Sequence, residues 1–318
     1  MASTIKAYQF TNLSRGLEYV EIPVPVPQNN QILVEIKATG LCHTDCNIIS
    51  GKDVTFFWKR PITLGHEIAS QIVAIGSSVT KFKAGDWVVS IIDTEHPIPF
   101  GDVTTSTRLG YNGGFVEYVF LYESKALCIL EGVTFAQAAV TTDAIATAYH
   151  AVVVNGQNSA SSKIAIIGLG GLGLSTAQIA SRYGAKAYGT AQAGVYACAK
   201  SFKGFPGIRF DVVVDFAGAG STTAEAAKAA KADGRVVLVG LSQKVATLDT
   251  YEFVVLGVTL KGAAGSSIKE VQKCLQMIAD KEIDPLLEEI PFDHIREGLD
   301  RLARGDVIGR LYANPTKS

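Results

Sequence analysis

The stretch that most constrains the fold is Lys163-Ile164-Ala165-Ile166-Ile167, followed by Gly168-Leu169-Gly170-Gly171-Leu172-Gly173 and a helical pattern through Tyr183. An apolar run this short suits a strand buried in a parallel sheet. Lys186 to Thr190 supplies a second strand after the helix. G-x-G-x-x-G alone is a weak signal. Set between a strand and a helix it is a strong one: the glycines let the backbone approach a pyrophosphate, and the helix N-terminus offers unpaired N–H groups. A turn needed only for packing is the weaker alternative. Further units of this kind follow. Asp211 to Phe216 and Arg235 to Gly240 read as buried strands around an alanine-rich helix, for which Thr222 and Glu225 offer a capping box. Val258 to Lys261 suggests another strand.

Upstream the pattern differs. Gln31 to Ala38 shows β alternation, and Glu67 to Ile75, Trp87 to Ile92 and Phe115 to Leu121 read as further short strands between glycine turns. The run of Pro23, Pro25 and Pro27 before Gln31 resists both helix and central strand, which places the run itself at an extended surface edge. This half predicts a small β-barrel. Phe135 to Val154 is alanine-rich and suits helix. Near the end, Ser267 with Glu270 predicts a capped helix to about Asp280, Asp293 caps a last helix that Gly305 ends, and Gly309 to Tyr312 closes the chain as a strand.

The β half carries the chemistry. Gly40-Leu41-Cys42-His43-Thr44-Asp45 and Leu64-Gly65-His66-Glu67 bring a thiolate and an imidazole, the ligand types that suit zinc. A single buried cysteine is ordinarily a small hydrophobe, and a single histidine a satisfied polar residue. Two such residues, each in a glycine- and acid-flanked stretch, favour a metal. Thr44 offers a hydroxyl for proton transfer, and Asp45 and Glu67 are acids beside the two ligands. A third ligand must come from elsewhere, since catalytic zinc takes three protein ligands and keeps one position open.

Composition narrows the class. The 318 residues are 47% hydrophobic with a net charge of −1, so nothing points to nucleic acid or an anionic membrane as partner. No apolar run approaches the roughly 20 residues of a spanning helix, and no signal peptide is visible at the start. Five scattered cysteines argue for a reducing compartment and against a disulfide framework, so a cytoplasmic location is expected.

Together with Gly85-Asp86-Trp87-Val88-Val89 and Val307-Ile308-Gly309-Arg310, these stretches resemble the zinc-containing alcohol dehydrogenases of the medium-chain dehydrogenase/reductase superfamily, in family order over most of the chain. The resemblance implies an α/β protein: a GroES-like catalytic β domain over 1–143, completed by 264–318, with a Rossmann doubly wound parallel sheet over 144–263 and the active site in the cleft between them. It implies a catalytic zinc held by Cys42, His66 and Asp143. Asp45 matches the acid that orients the histidine, Glu67 an acid near the metal, and Thr44 the hydroxyl that passes the proton. His43 and Arg310 match residues on the cofactor pyrophosphate, Thr147 a residue beside the nicotinamide, and Gly168, Gly170, Gly171 and Gly173 the dinucleotide turn. A small-molecule substrate and a homo-oligomer, dimer or tetramer, are implied.

Four departures qualify this. Asp93 to Tyr111 is short and lacks the four cysteines of a structural zinc, so one zinc per chain is expected. Asn47 stands where the proton relay often ends on a histidine. After Thr190 come Ala191 and Gln192, with neither an acid for the ribose of NAD nor an arginine for the phosphate of NADP, which leaves the choice of NAD(P) open. Only 18 residues separate Gln192 from Asp211, so about one αβ unit is expected to be trimmed near the adenosine site. The expected function is hydride transfer between NAD(P) and an alcohol or carbonyl compound. Phe56, Phe57 and Trp58, if they line the cleft, favour a bulky apolar one. The alternative is a redox-neutral zinc Lewis-acid enzyme, an isomerase, lyase or cyclase, with a degenerate dinucleotide site.

Overall fold

The computed structural model describes residues 4–52, 60–92, 106–190, 197–199 and 202–317. Phe56, Phe57, Trp58, Ala191 and Gln192 lie outside them. Two compact units are present. The first comprises 1–143, 267–279 and 287–318, and the second 144–266 and 280–286.

The first unit is built on mainly antiparallel sheet, with Leu287–Ile290 and Arg310–Ala313 its parallel pair. Leu17–Pro23, Thr4–Phe10 and Ile62–Thr63 make three strands in that order, and the proline run leaves the edge strand at Pro23 without regular structure over 24–28. A seven-stranded sheet runs in the order Leu287–Ile290, Arg310–Ala313, Gln31–Gly40, Glu67–Ile75, Trp87–Ser90 and Ala126–Cys128, with Tyr118–Tyr122 also on Gln31–Gly40. Alternation explains the burial: Val34, Ile36, Ile68 and Ile72 face one core with Val116 and Leu121. A second core joins Phe10, Leu64 and Phe115 to Leu299 and Leu302 of the helix Ile295–Arg304. The last strand thus belongs to the β domain, where Tyr312 pairs with Gly40 from 272 positions earlier in the chain and brings Arg310 close by.

The second unit is an all-parallel six-stranded sheet. Its order is Ala197–Ala199, Lys186–Thr190, Lys163–Ile167, Phe210–Asp215, Ala230–Leu238, Thr259–Gly262. In chain order this is 3-2-1-4-5-6, the doubly wound order of dinucleotide-binding folds. The trimming expected from the sequence falls differently from the expectation: the third strand is kept, as three residues paired to Lys186–Thr190. Six residues, 191–196, join these two parallel strands, fewer than a helical crossover needs. Between Ala199 and Phe210 the described structure holds a single 3-10 turn, Phe202–Gly204.

Local expectations were met unevenly. The helix Ile268–Ala279 starts where Ser267 and Glu270 predicted it, with the Ser267 amide 2.6 Å from the Glu270 carboxylate. Gly305 ends the last helix in a left-handed conformation, φ 78°. Thr222 does not cap its helix by a box with Glu225. The Thr222 hydroxyl donates to Asp215, which also accepts from Thr223 and from the amides of Ala217 and Gly218. A buried carboxylate needing partners outcompeted the local motif. Asp293 sits within the 3-10 turn Phe292–His294, not at the helix cap.

Candidate active site

The strand register assembles the site. Gly40 pairs with Glu67 on one side and Tyr312 on the other, so the residues after Gly40, around Glu67 and before Tyr312 converge. Gly40 must be glycine: a Cβ there would lie 1.8 Å from Oε2 of Glu67. The chain then enters the helix His43–Ile49 with Cys42 at its N-cap. Gly65 adopts φ 86°, and a Cβ on it would lie 2.5 Å from the Phe115 ring. His66 is thereby drawn into the site from a turn that only glycine fits closely. Asp143 comes from a π-helical turn, Thr141–Ile145, inside the expected helix. A π turn inserts one residue into the helical register and is frequent at functional sites.

Three donor atoms meet. Asp143 Oδ2 is 3.4 Å from Cys42 Sγ and 3.2 Å from His66 Nε2, and all three donors lie within 4.8 Å of one another. Tetrahedral zinc with ordinary bond lengths separates nitrogen and oxygen ligands by about 3.3 Å and sulfur and oxygen ligands by about 3.6 Å. The donor set therefore fits zinc in both chemistry and spacing. Among the described residues this is the one His, Cys and carboxylate cluster that does so. Cys46, four residues on, does not join it. Its Sγ donates to the Leu299 carbonyl at 3.4 Å, and burial with the Asp45 charge pushes its pKa up to about 12.

Charged neighbours frame the donors. Arg310 forks onto Glu67, with Nη2 2.7 Å from Oε1 and Nε 3.0 Å from Oε2, and Nη2 also lies 3.3 Å from Asp143 Oδ2. The sequence placed Arg310 on a cofactor pyrophosphate. In the structure it is buried, and these nitrogens are committed to carboxylates. Burial raises the Glu67 pKa, which the Arg310 charge only partly offsets. Asp45 is fully buried and 3.7 Å from His66 Nδ1, a charge contact beyond hydrogen-bond length. Burial works against the Asp45 charge, but His66, Arg108 and the Cys42 amide hold its pKa below the ordinary value.

Other expected residues take plain positions. Thr44 Oγ1 is 3.4 Å from Cys42 Sγ, within reach of the donor set. His43 is exposed in the first turn of its helix, and Asn47 is part-buried one turn on. Thr147 is buried in the helix Ala146–Tyr149 of the second unit. Gly168 adopts φ 88°, and a Cβ on Gly173 would lie 2.0 Å from the Gly168 carbonyl, so strand and helix approach as a glycine turn requires. Gly170 caps the helix Gly171–Arg182, and its missing Cβ would point into open space, leaving the helix N-terminus accessible. Sequence reasoning missed Arg108, a buried arginine with Nη1 3.9 Å from Asp45 Oδ1. Only Gly110, marking a turn two residues later, hints at it.

A β domain with a Cys-His-Asp donor set and a doubly wound six-stranded parallel sheet define a dehydrogenase-type oxidoreductase. Two family models match, the alcohol dehydrogenase GroES-like domain over residues 28–131 and the zinc-binding dehydrogenase over residues 177–280. The chain belongs to the zinc-type alcohol dehydrogenase family of the medium-chain dehydrogenase/reductase superfamily. It is 26% identical to a D-arabinose 1-dehydrogenase (NADP(+)) of Saccharolobus solfataricus, over 98% of this chain and 97% of that one. It is 28% identical to an alcohol dehydrogenase of Geobacillus stearothermophilus, over 96% and 98%. Among solved structures it matches acetophenone reductase from Geotrichum candidum in complex with NAD, with a TM-score of 0.88 and 26% identity over 99% of this chain and 98% of that one. These relatives are dehydrogenases and reductases, so the redox-neutral alternative is not favoured.

Proposed function

We propose that the chain is a zinc-dependent alcohol dehydrogenase or carbonyl reductase that uses one catalytic zinc and NAD(P). The carrying observation is the convergence of Cys42 Sγ, His66 Nε2 and Asp143 Oδ2 within 4.8 Å. When bound, zinc supplies Lewis acidity at the substrate oxygen and the nicotinamide supplies the two-electron exchange. The protein's own residues do the rest. Cys42, His66 and Asp143 would hold the metal. Arg310 holds Glu67, and with it Asp143, in fixed orientation. The Thr44 hydroxyl, 3.4 Å from Cys42 Sγ, is placed to carry the substrate proton away from the donor set. Asn47 cannot titrate, so that proton passes from Thr44 to water. The turn Gly168 to Gly173 would hold the pyrophosphate by backbone N–H groups, and His43 and Thr147 are the further cofactor contacts of the proposal.

The substrate is a small alcohol or carbonyl compound, with a bulky apolar one favoured by the acetophenone reductase of similar fold. A homo-oligomer is part of the reading. The sheet of the second unit ends on the strand Thr259–Gly262, and Val254 and Val255 before it are exposed. Among the described residues no helix is long and apolar enough to cross a membrane; a cytoplasmic location is a separate part of the proposal. A panel of aromatic and aliphatic ketones with NADH and NADPH tests the reading. Zinc-dependent reduction of at least one ketone supports it, and metal-independent turnover contradicts it.

A further inference from the structure

We infer that Arg108 is a positioning residue for the proposed metal centre: its guanidinium holds the Asp45 carboxylate, and through it the two ligand-bearing segments at Cys42 and His66. The inference rests on the zinc reading above. Asp45 is the link between the segments. Its Oδ2 accepts from the Cys42 amide at 3.3 Å, and its Oδ1 accepts from the Gly65 amide at 3.4 Å, one residue before His66. Both contacts are long, and the His66 ring stands at 3.7 Å. With zinc bound His66 would be neutral, so two amides and one uncharged imidazole would leave a fully buried carboxylate short of compensating charge, which a low-dielectric site penalises. Arg108 supplies it, at 3.9 Å from Oδ1.

The local structure of Arg108 shows two unfavourable features accepted together. Its backbone is left-handed, φ 59°, a conformation few side chains other than glycine adopt readily. The turn around it is fixed by the amides of Leu109 and Gly110 donating to the Ser106 carbonyl. Its Nε and Nη1 are buried without hydrogen-bond partners. A guanidinium placed for hydrogen bonding would use those donors. This one is placed for its charge, and the group it faces is Asp45.

The test measures zinc affinity by competition with a chromophoric chelator, alongside denaturant unfolding of each metal-free protein. Arg108→Gln should weaken zinc binding by about 10-fold or more, the scale on which groups behind a ligand act. Arg108→Lys, which keeps the charge, should recover most of it. The deciding comparison is Asp45→Asn against Asp45→Asn/Arg108→Gln. If Arg108 acts through Asp45, their zinc affinities agree, because the group it served is already neutral. This pair stays informative if Arg108→Gln alone does not fold, since the double variant buries neither charge. Wild-type affinity in Arg108→Gln, or an equal loss on removing Arg108 with and without Asp45, would overturn the inference while leaving the zinc reading intact. Failure of the wild type to take zinc would overturn both.

Discussion

Arg310 and Glu67 meet edge to edge, two hydrogen bonds at 2.7 and 3.0 Å between side chains that are both buried. They are 243 residues apart in sequence, and only the pairing of the last strand through Gly40 brings them together. Removing one partner strands the other as a buried charge. Arg310→Met should destabilise the protein by about 3–5 kcal/mol, whereas Arg310→Met/Glu67→Gln should lose much less. Urea unfolding of the metal-free proteins measures both. Equal losses would mean that the pair contributes no more than its packing.

Thr44→Val keeps the shape and removes the hydroxyl near the donor set. Turnover should fall by about 10²–10⁴-fold, with zinc content unchanged, if Thr44 moves the substrate proton. Turnover near wild type would route the proton elsewhere.

The pH dependence has two opposite limbs. In the metal-free protein, burial and the Arg108 charge work against a proton on His66, but the Asp45 and Asp143 carboxylates raise its pKa well above 6.5. A raised folded-state pKa gives stability that is fully present below the unfolded value and is lost as pH rises through the folded one. Metal-free wild type should therefore exceed His66→Gln in stability most at about pH 6 and below, with the margin shrinking toward alkaline pH. Zinc affinity should rise over the same range, because protons must leave the ligands. Chemical unfolding and chelator competition at several pH values separate the two. A stability margin that grows with pH would mean that His66 is neutral in the metal-free fold.

The dinucleotide site should discriminate poorly. Ala191 and Gln192 give the adenosine ribose neither a carboxylate nor an arginine. One lost charged hydrogen bond is worth about 1.5–3 kcal/mol, so both NAD and NADP should bind more weakly than in a relative that keeps the acid, and within about tenfold of each other. Fluorescence titration of the reduced forms measures this. A preference far above tenfold would require a recognition residue elsewhere.

Much of this site was legible in the sequence because its parts lie in short glycine-bearing stretches. Gly40, Gly65, Gly168 and Gly173 mark places where chains touch, and the structure shows what each one touches. Cys42, His66 and Asp143 were found by ligand chemistry and family order. Partners created by long-range pairing were not legible. The Glu67–Arg310 fork depends on a strand added from the far end of the chain. Arg108 is visible only once Asp45 is buried against it. Thr222 shows the same limit from the other side, since its capping pattern was genuine but buried Asp215 drew its hydroxyl away. The third strand of the parallel sheet, three residues long without a full helical crossover, falls below what periodicity can register.

Zinc held by Cys42, His66 and Asp143 is measured by metal analysis of the purified protein beside its Cys42→Ala, His66→Ala and Asp143→Ala variants. The wild type should carry about one zinc per chain, since one donor set is present among the described residues, and the variants should lose metal and ketone reduction together. Full activity in a zinc-free wild type, or variants that keep their zinc, would contradict that zinc site.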